Sequence, residues 1–334
     1  MHPHISISFA PAWWHHHYGI SFDQHSWQDP VRRTELNREQ RRLLFDRFGD
    51  VGLGDRNPQP QPTVGIEYGD RFMAALWDCD IRYLPDQAPS AIALYDSQEQ
   101  MRNLAKPNVK TSPVIQQALA DMRTLQEKYG YCSFTVNYGG PLNNAVSVFG
   151  AEILTACILQ PEMAQSVLRA MGQVVLDVHG VVSTLAGSDH TPLHDEVNIG
   201  NCPVCMISPT TYEQVVLPVD LWLAGKFSRV NLHHCGVFDK YAEAYTSMHP
   251  ASLDIGPGSD LNLARHIFPS TPFSTYIDVG RLAHLSQPQI DQLIITMCDQ
   301  AGAPDIFHHI RVADIGPEIS DETIRYLLTV FDRV

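Results

Sequence analysis

The feature that most constrains this chain is its repeating order. In the second half, short apolar runs rich in β-branched and aromatic residues alternate with amphipathic stretches. CSFTVNYGG precedes LNNAVSVFGAEILTACIL, and a long helix is expected from Pro161 to about Ala186, with proline at its start. TPLHDEVNI precedes SPTTYEQVVLPVDLWLAG, where Ser208 suits an N-cap and Pro209 the first helical position. RVNLHHCG precedes FDKYAEAYTSMH, ASLDIG precedes DLNLARHIF, and FSTYID precedes QPQIDQLIITMCDQAG. In that last helix Ile290, Leu293, Ile294, Met297 and Ala301 share one face. DIFHHIRVADIG then precedes SDETIRYLLTVF, with the same kind of stripe at Ile324, Leu327, Leu328 and Phe331. Repeated strand–helix steps predict a parallel sheet, either closed into a (β/α)8 barrel or open and doubly wound. No Gly-rich dinucleotide fingerprint follows an early strand, so the barrel is favoured.

The first part of the chain is less regular. ISISFA alternates like a strand, and DPVRRTELNREQRRLLFDRFGD reads as helix. RNPQPQPTVG reads as an irregular surface connection. The expectation is one barrel over 1–334, with an N-terminal extension over roughly 1–110. The 334 residues, 44% of them hydrophobic, are ample for such a core. No run of eighteen apolar residues predicts a membrane span, and the N-terminus lacks the pattern of a secretory signal, so a cytoplasmic location is expected. A net charge of −14 without a basic stripe argues against a general nucleic-acid binder. Seven cysteines, an odd number, favour free or metal-bound thiols over a disulfide framework.

In a βα barrel the chemistry gathers where strands end. The proposed strand ends carry Asn137 and Tyr138; Asp195 and Glu196; His233, His234 and Cys235; Asp254 and Asp260; Asp278; and Asp314. The sharpest group is His233-His234-Cys235. In extended backbone, residues two apart point the same way, so His233 and Cys235 can converge while His234 faces away. Imidazole and thiolate suit Zn²⁺, which needs a third protein ligand and, in a catalytic site, an open fourth position. A buried His and Cys without metal is the competing reading. NCPVC, a single CxxC in the loop before the HHC strand, offers Cys202 or Cys205 as the further ligand, or holds two plain loop thiols. Cys79, Cys132, Cys157 and Cys298 are expected to be packing residues. HHHYG (His15 to Gly19) is either a surface cluster or a group near the same mouth, with His17 a cofactor contact alongside Asn137 and Tyr138. His308 and His309 lie inside the last strand, one facing in and one out. DIGPGSD reads as a turn or an anion cradle.

The order YGGPLNNAVSVFGAEILTACILQPEMAQSVLRAM, ISPTTYEQVVLP, NLHHCG resembles the uroporphyrinogen decarboxylase superfamily over roughly residues 125–334, and more faintly at YGISF and DRFGD. The resemblance implies a single (β/α)8 barrel with its active site in the mouth. The arginine-bearing N-terminal motif of true uroporphyrinogen decarboxylases is missing; FAPAWWHHHYG stands there. The H-x-C-G motif is similar to that of the cobalamin-linked methyltransferases, in which His and Cys hold zinc with a later cysteine. His233 and Cys235 match; where the later cysteine should fall, this chain has Asp314. Asp314, Cys202 or Cys205 is therefore the expected third ligand. The resemblance implies zinc that activates a thiol or other weak nucleophile, and methyl transfer to or from a corrinoid, free or on a separate corrinoid protein. Asp195, Glu196 and Asp278 are the expected orienting or proton-transferring groups. Two alternatives stand beside it: a decarboxylase or lyase on a small carboxylated substrate without corrinoid, and a non-enzymatic metal or ligand carrier.

Overall fold

The computed structural model describes residues 3–68, 71–94, 97–186, 196–302 and 306–332. Its strands are β1 (His4–Phe9), β2 (Thr63–Val64), β3 (Ile81–Arg82), β4 (Ser90–Ala91), β5 (Ser133–Phe134), β6 (Glu196–Gly200), β7 (Arg229–His234), β8 (Ser252–Ile255), β9 (Phe273–Tyr276) and β10 (Phe307–Ile315). A six-stranded sheet runs in the order β1-β10-β9-β8-β7-β6, with every pair parallel. β2 and β5 form a separate parallel pair, and β3 and β4 a small antiparallel one. The first strand thus lies beside the last, and the segment expected as an extension supplies part of the main sheet.

The expected closed barrel is seen only in part. Eight parallel strands, β1, β2 and β5 to β10, fall into two arcs, and among the described residues no strand pairing joins them. A single backbone bond, from Gly140 N to Gly200 O at 3.1 Å, links the segment after β5 to the end of β6. Gly140 is required there, since a Cβ would lie 2.5 Å from that carbonyl oxygen. The chemistry of the short arc explains its shortness. Pro58, Pro60 and Pro62 precede β2 and bring no amide hydrogens, and the glycines at 139 and 140 follow β5 closely.

The outer face of the large sheet is apolar. Val230, Leu232, Leu253, Ile255, Ile310 and Val312 are buried there at alternate positions. Helices cover that face. Pro161–Ala186 presents Ala164, Val167, Leu168, Met171, Val174, Val175, Val178 and Val182, all nearly inaccessible and at helical spacing. Gln287–Ala301 buries Ile290, Ile294, Met297 and Ala301, as its pattern predicts, and Ser286 with Gln289 completes a capping box. The opposite face of the sheet is polar. Asn231 Nδ2 donates to Asn198 at 2.9 Å, Ser252 donates to Asn231 at 2.7 Å, and the rings of His4 and His309 meet at 2.8 Å. His308 is exposed on the same strand.

The N-terminal helices are clamped to the C-terminal one. Arg47, near the end of the helix Pro30–Phe48, makes a two-pronged ion pair with Asp321 at 2.7 and 2.8 Å and lies 5.0 Å from the Trp13 ring centre. Asp321 opens the helix Asp321–Leu328, where its charge also favours the helix dipole. Arg47→Ala is expected to lower stability by about 1–2 kcal/mol, measured by urea unfolding, because it removes both the pair and the guanidinium packing on Trp13. An unchanged midpoint would show that the clamp contributes nothing.

Candidate functional site

The β7 segment ends in the expected alternation. His234 is 1% exposed and faces the helix layer, where its Nδ1 lies 2.7 Å from the Tyr245 hydroxyl. Burial pushes His234 down to about 4, so it is neutral near pH 7. His233 and Cys235 point the other way and converge, with Nε2 3.0 Å from Sγ. A third group arrives from the neighbouring strand. Parallel pairing sets Gly200 opposite His233, and the amide of Asn201 donates to the His233 carbonyl at 2.7 Å. The chain then turns through Cys202–Met206, with Pro203 setting the turn. Cys202 Sγ thereby comes 2.6 Å from Cys235 Sγ. The ligand atoms of Cys202, His233 and Cys235 all lie within 4.8 Å of one another. Gly256, after β8, allows this packing: a Cβ there would lie 1.9 Å from the Cys235 carbonyl oxygen.

A layer of hydrogen bonds fixes the imidazole. β8 pairs with β7 so that Asp254 stands opposite His233, and Asp254 Oδ2 accepts from His233 Nδ1 at 2.9 Å. The same carboxylate accepts from Ser274 at 2.6 Å and from Tyr276 at 2.7 Å, and Arg311 Nε lies 3.7 Å away. Burial alone would raise Asp254, but the donors His233, Ser274 and Tyr276, together with the Arg311 charge, outweigh it and hold the carboxyl below its ordinary range. Burial likewise opposes a charge on His233, yet its bonds to Asp254 and Cys202 and their negative charges carry it up to about 9. The two thiols share one proton. The bond from Cys235 pulls Cys202 down to about 5, with His233 adding to the effect against burial. The same bond pushes Cys235 strongly upward.

The donor set fits a thiophilic divalent cation. Two sulfurs and one imidazole nitrogen converge, and the second ring nitrogen is held by a carboxylate, the usual support of a metal-bound histidine. Cys202 is half-buried and Cys235 exposed, so the group is open to solvent rather than sealed.

The other anticipated residues are placed elsewhere or differently. Cys205 is exposed, and its Sγ lies 3.1 Å from the Cys202 carbonyl; it is not in the converging group. Asp314 is exposed at φ +59° near the end of β10 and is also outside that group. Asp195 lies outside the described residues. Glu196 was expected at a strand end but opens β6, four residues before Gly200, and pairs with Arg229 at 3.6 Å. Asp278 caps the helix Val279–Leu282 and lines a separate cleft of about 750 Å³, with Arg281, Leu293 and Met297 among its walls. Asn137 is exposed, with its Oδ1 accepting from Gly139 N at 3.1 Å, while Tyr138 is buried with its ring 6.0 Å from that of His179. His17 packs on Trp13 and beside Arg47.

No protein-family model matches the sequence, and no curated protein matches it. Among solved structures, a methyltransferase from Methanosarcina mazei superposes with a TM-score of 0.62 at 14% identity, over 99% of this chain and 93% of the other. A B12-independent methionine synthase from Shewanella sp. W3-18-1, solved with selenomethionine, gives 0.47 at 10% identity, over 99% and 95%. At such identity the likeness is one of fold, and the first comparison carries it.

Behind the cluster lies Asp220, fully buried and pushed up to about 7 by burial, against the bonds from Asn201 and Tyr212. Its folded value is above the ordinary 3.8, so the folded state keeps a proton that the unfolded chain has lost. That stability is fully present below about pH 4 and is lost as pH rises through about 7. Urea midpoints should therefore fall across this window in the wild type relative to Asp220→Asn. Parallel curves would show that Asp220 is ionised throughout.

Proposed function

We propose that the protein is a methyltransferase in which Cys202, His233 and Cys235 hold zinc and a corrinoid, free or on a partner protein, carries the methyl group. The observation that carries this reading is the convergence of two sulfurs and one imidazole within 4.8 Å at one rim of the parallel sheet. The fold shared with a protein described as a methyltransferase supports it. Zinc bound there supplies a Lewis acid that lowers the pKa of a thiol substrate, so that its anion persists near neutral pH.

The chain's own residues set up that chemistry. Asp254 holds the Nδ1 hydrogen of His233 and so keeps Nε2 turned toward the sulfurs. Ser274 and Tyr276 donate to Asp254 and keep it from rotating away. The polar inner face, with Asn198, Asn231 and Ser252 bonded in a row, gives a substrate hydrogen-bonding partners below the cluster. Arg311, 43% exposed, lies 3.7 Å from Asp254 and over the Tyr276 ring, and adds a positive charge on that face. Asp278, on the separate cleft, and Glu196, at the opposite end of β6 from Gly200, are not placed to orient a substrate at the cluster.

Metal analysis of the purified protein tests the reading first. Wild type is expected to hold about one zinc per chain, and Cys235→Ser and Cys202→Ser to bind it at least about tenfold more weakly. Loss of methylcobalamin absorbance on adding 2-mercaptoethanol should be catalysed by the wild type and not by either variant. Equal zinc in all three proteins would remove both sulfurs from the ligand set.

A further inference from the structure

A buried carboxylate on an otherwise apolar helix needs an explanation in what its oxygens hold. Asp220 is the one acid in LPVDLWLA, the helix Leu217–Ala224, and is 0% exposed. Its Oδ2 accepts two hydrogen bonds, from Asn201 Nδ2 at 2.9 Å and from the Tyr212 hydroxyl at 3.2 Å. Asn201 is also fully buried. It stands where the two ligand-bearing segments meet. Cys202 follows it directly, and its amide is bonded to the His233 carbonyl at 2.7 Å.

The helix is shaped for this grip. Tyr212 and Asp220 are eight residues apart, which in a regular α-helix leaves them about 80° apart around the axis. The wider π-helical turn Tyr212–Val216 takes up part of that offset, so both side chains reach Asn201. The neighbouring strand is held in the same layer. His234 is bonded to Tyr245, whose ring centre lies 5.4 Å from that of Tyr212.

We propose that Asp220 is a positioning residue: through Asn201 it holds the Cys202 turn against the end of β7 and fixes how Cys202 and His233 face a bound metal. It touches no ligand atom itself. The inference rests on the zinc-site reading above. Asp220→Asn keeps an oxygen able to accept both bonds, whereas Asp220→Leu keeps the bulk and leaves Asn201 Nδ2 only the longer 3.5 Å contact to the Tyr212 hydroxyl. The two variants therefore separate positioning from space filling.

The test uses the full chain with cobalt(II) in place of zinc. The thiolate-to-cobalt absorption band and chelator competition are read together with hydrogen exchange of the Asn201 amide in metal-free protein. Asp220→Asn should bind cobalt within about threefold of wild type and with the same band, whereas Asp220→Leu should bind about 10–100-fold more weakly with a shifted band. The Asn201 amide should exchange faster in the leucine variant alone. A folded Asp220→Leu protein with wild-type affinity and band overturns the proposal, and so does equal weakening in both variants. If Asp220→Leu fails to fold, Tyr212→Phe, which removes one of the two donors, should weaken cobalt binding about threefold and speed Asn201 exchange; unchanged values overturn the proposal. Should wild type bind no cobalt at all, the zinc reading fails. The proposal is then judged on exchange, and equal Asn201 protection in wild type and the leucine variant overturns it.

Discussion

Parallel register is the constraint on which the site depends. Because β6, β7 and β8 run side by side in step, Gly200, His233 and Asp254 fall at one level. That one alignment puts a turn with a cysteine on one side of the imidazole and a carboxylate on the other. A slip of one residue would send His233 to the buried face and bring His234, already fitted to Tyr245, to the polar face. The apolar alternation of Val230 and Leu232 forbids the slip, since it would expose both. The packing of the outer face and the chemistry of the inner face are thus set by the same register.

The two faces differ in what they ask of the fold. The outer face buries aliphatic side chains against long amphipathic helices, which is the main source of stability. The inner face offers Asn198, Asn231 and Ser252, bonded in a row, and His309, paired with His4, and so presents little apolar surface. Among the described residues, the inner face of the six-stranded sheet carries polar side chains where a small parallel barrel usually packs Val, Ile and Leu, and this polar face adjoins the Cys202–His233–Cys235 group.

Much of this was legible in the chain and some was not. Elements with strong periodicity, such as Pro161–Ala186, Gln287–Ala301 and the strand ending in NLHHC, are where their patterns put them, because period and capping act locally. The alternation rule also sufficed for His233, His234 and Cys235. The third member of the group was legible only as a choice between Cys202, Cys205 and Asp314, since the choice depends on how a turn from one strand leans on the next. Glu196 was misplaced because a strand boundary drifted by several residues, which reverses the end of the sheet at which a side chain lies. Asp254 was visible as a polar strand end, but its pairing with His233 needs the register. Asp220 left a fainter trace, a single carboxylate in an apolar helix, and its partner Asn201 left none.

The charges at the cluster are arranged in a way that bears on its occupant. Asp254 is held ionised, His233 is held protonated, and the cysteine pair carries one negative charge between Cys202 and Cys235. A divalent cation held by all three ligands would have to displace the proton at His233 Nε2 and the one between the two sulfurs, so its binding would release protons and tighten as pH rises.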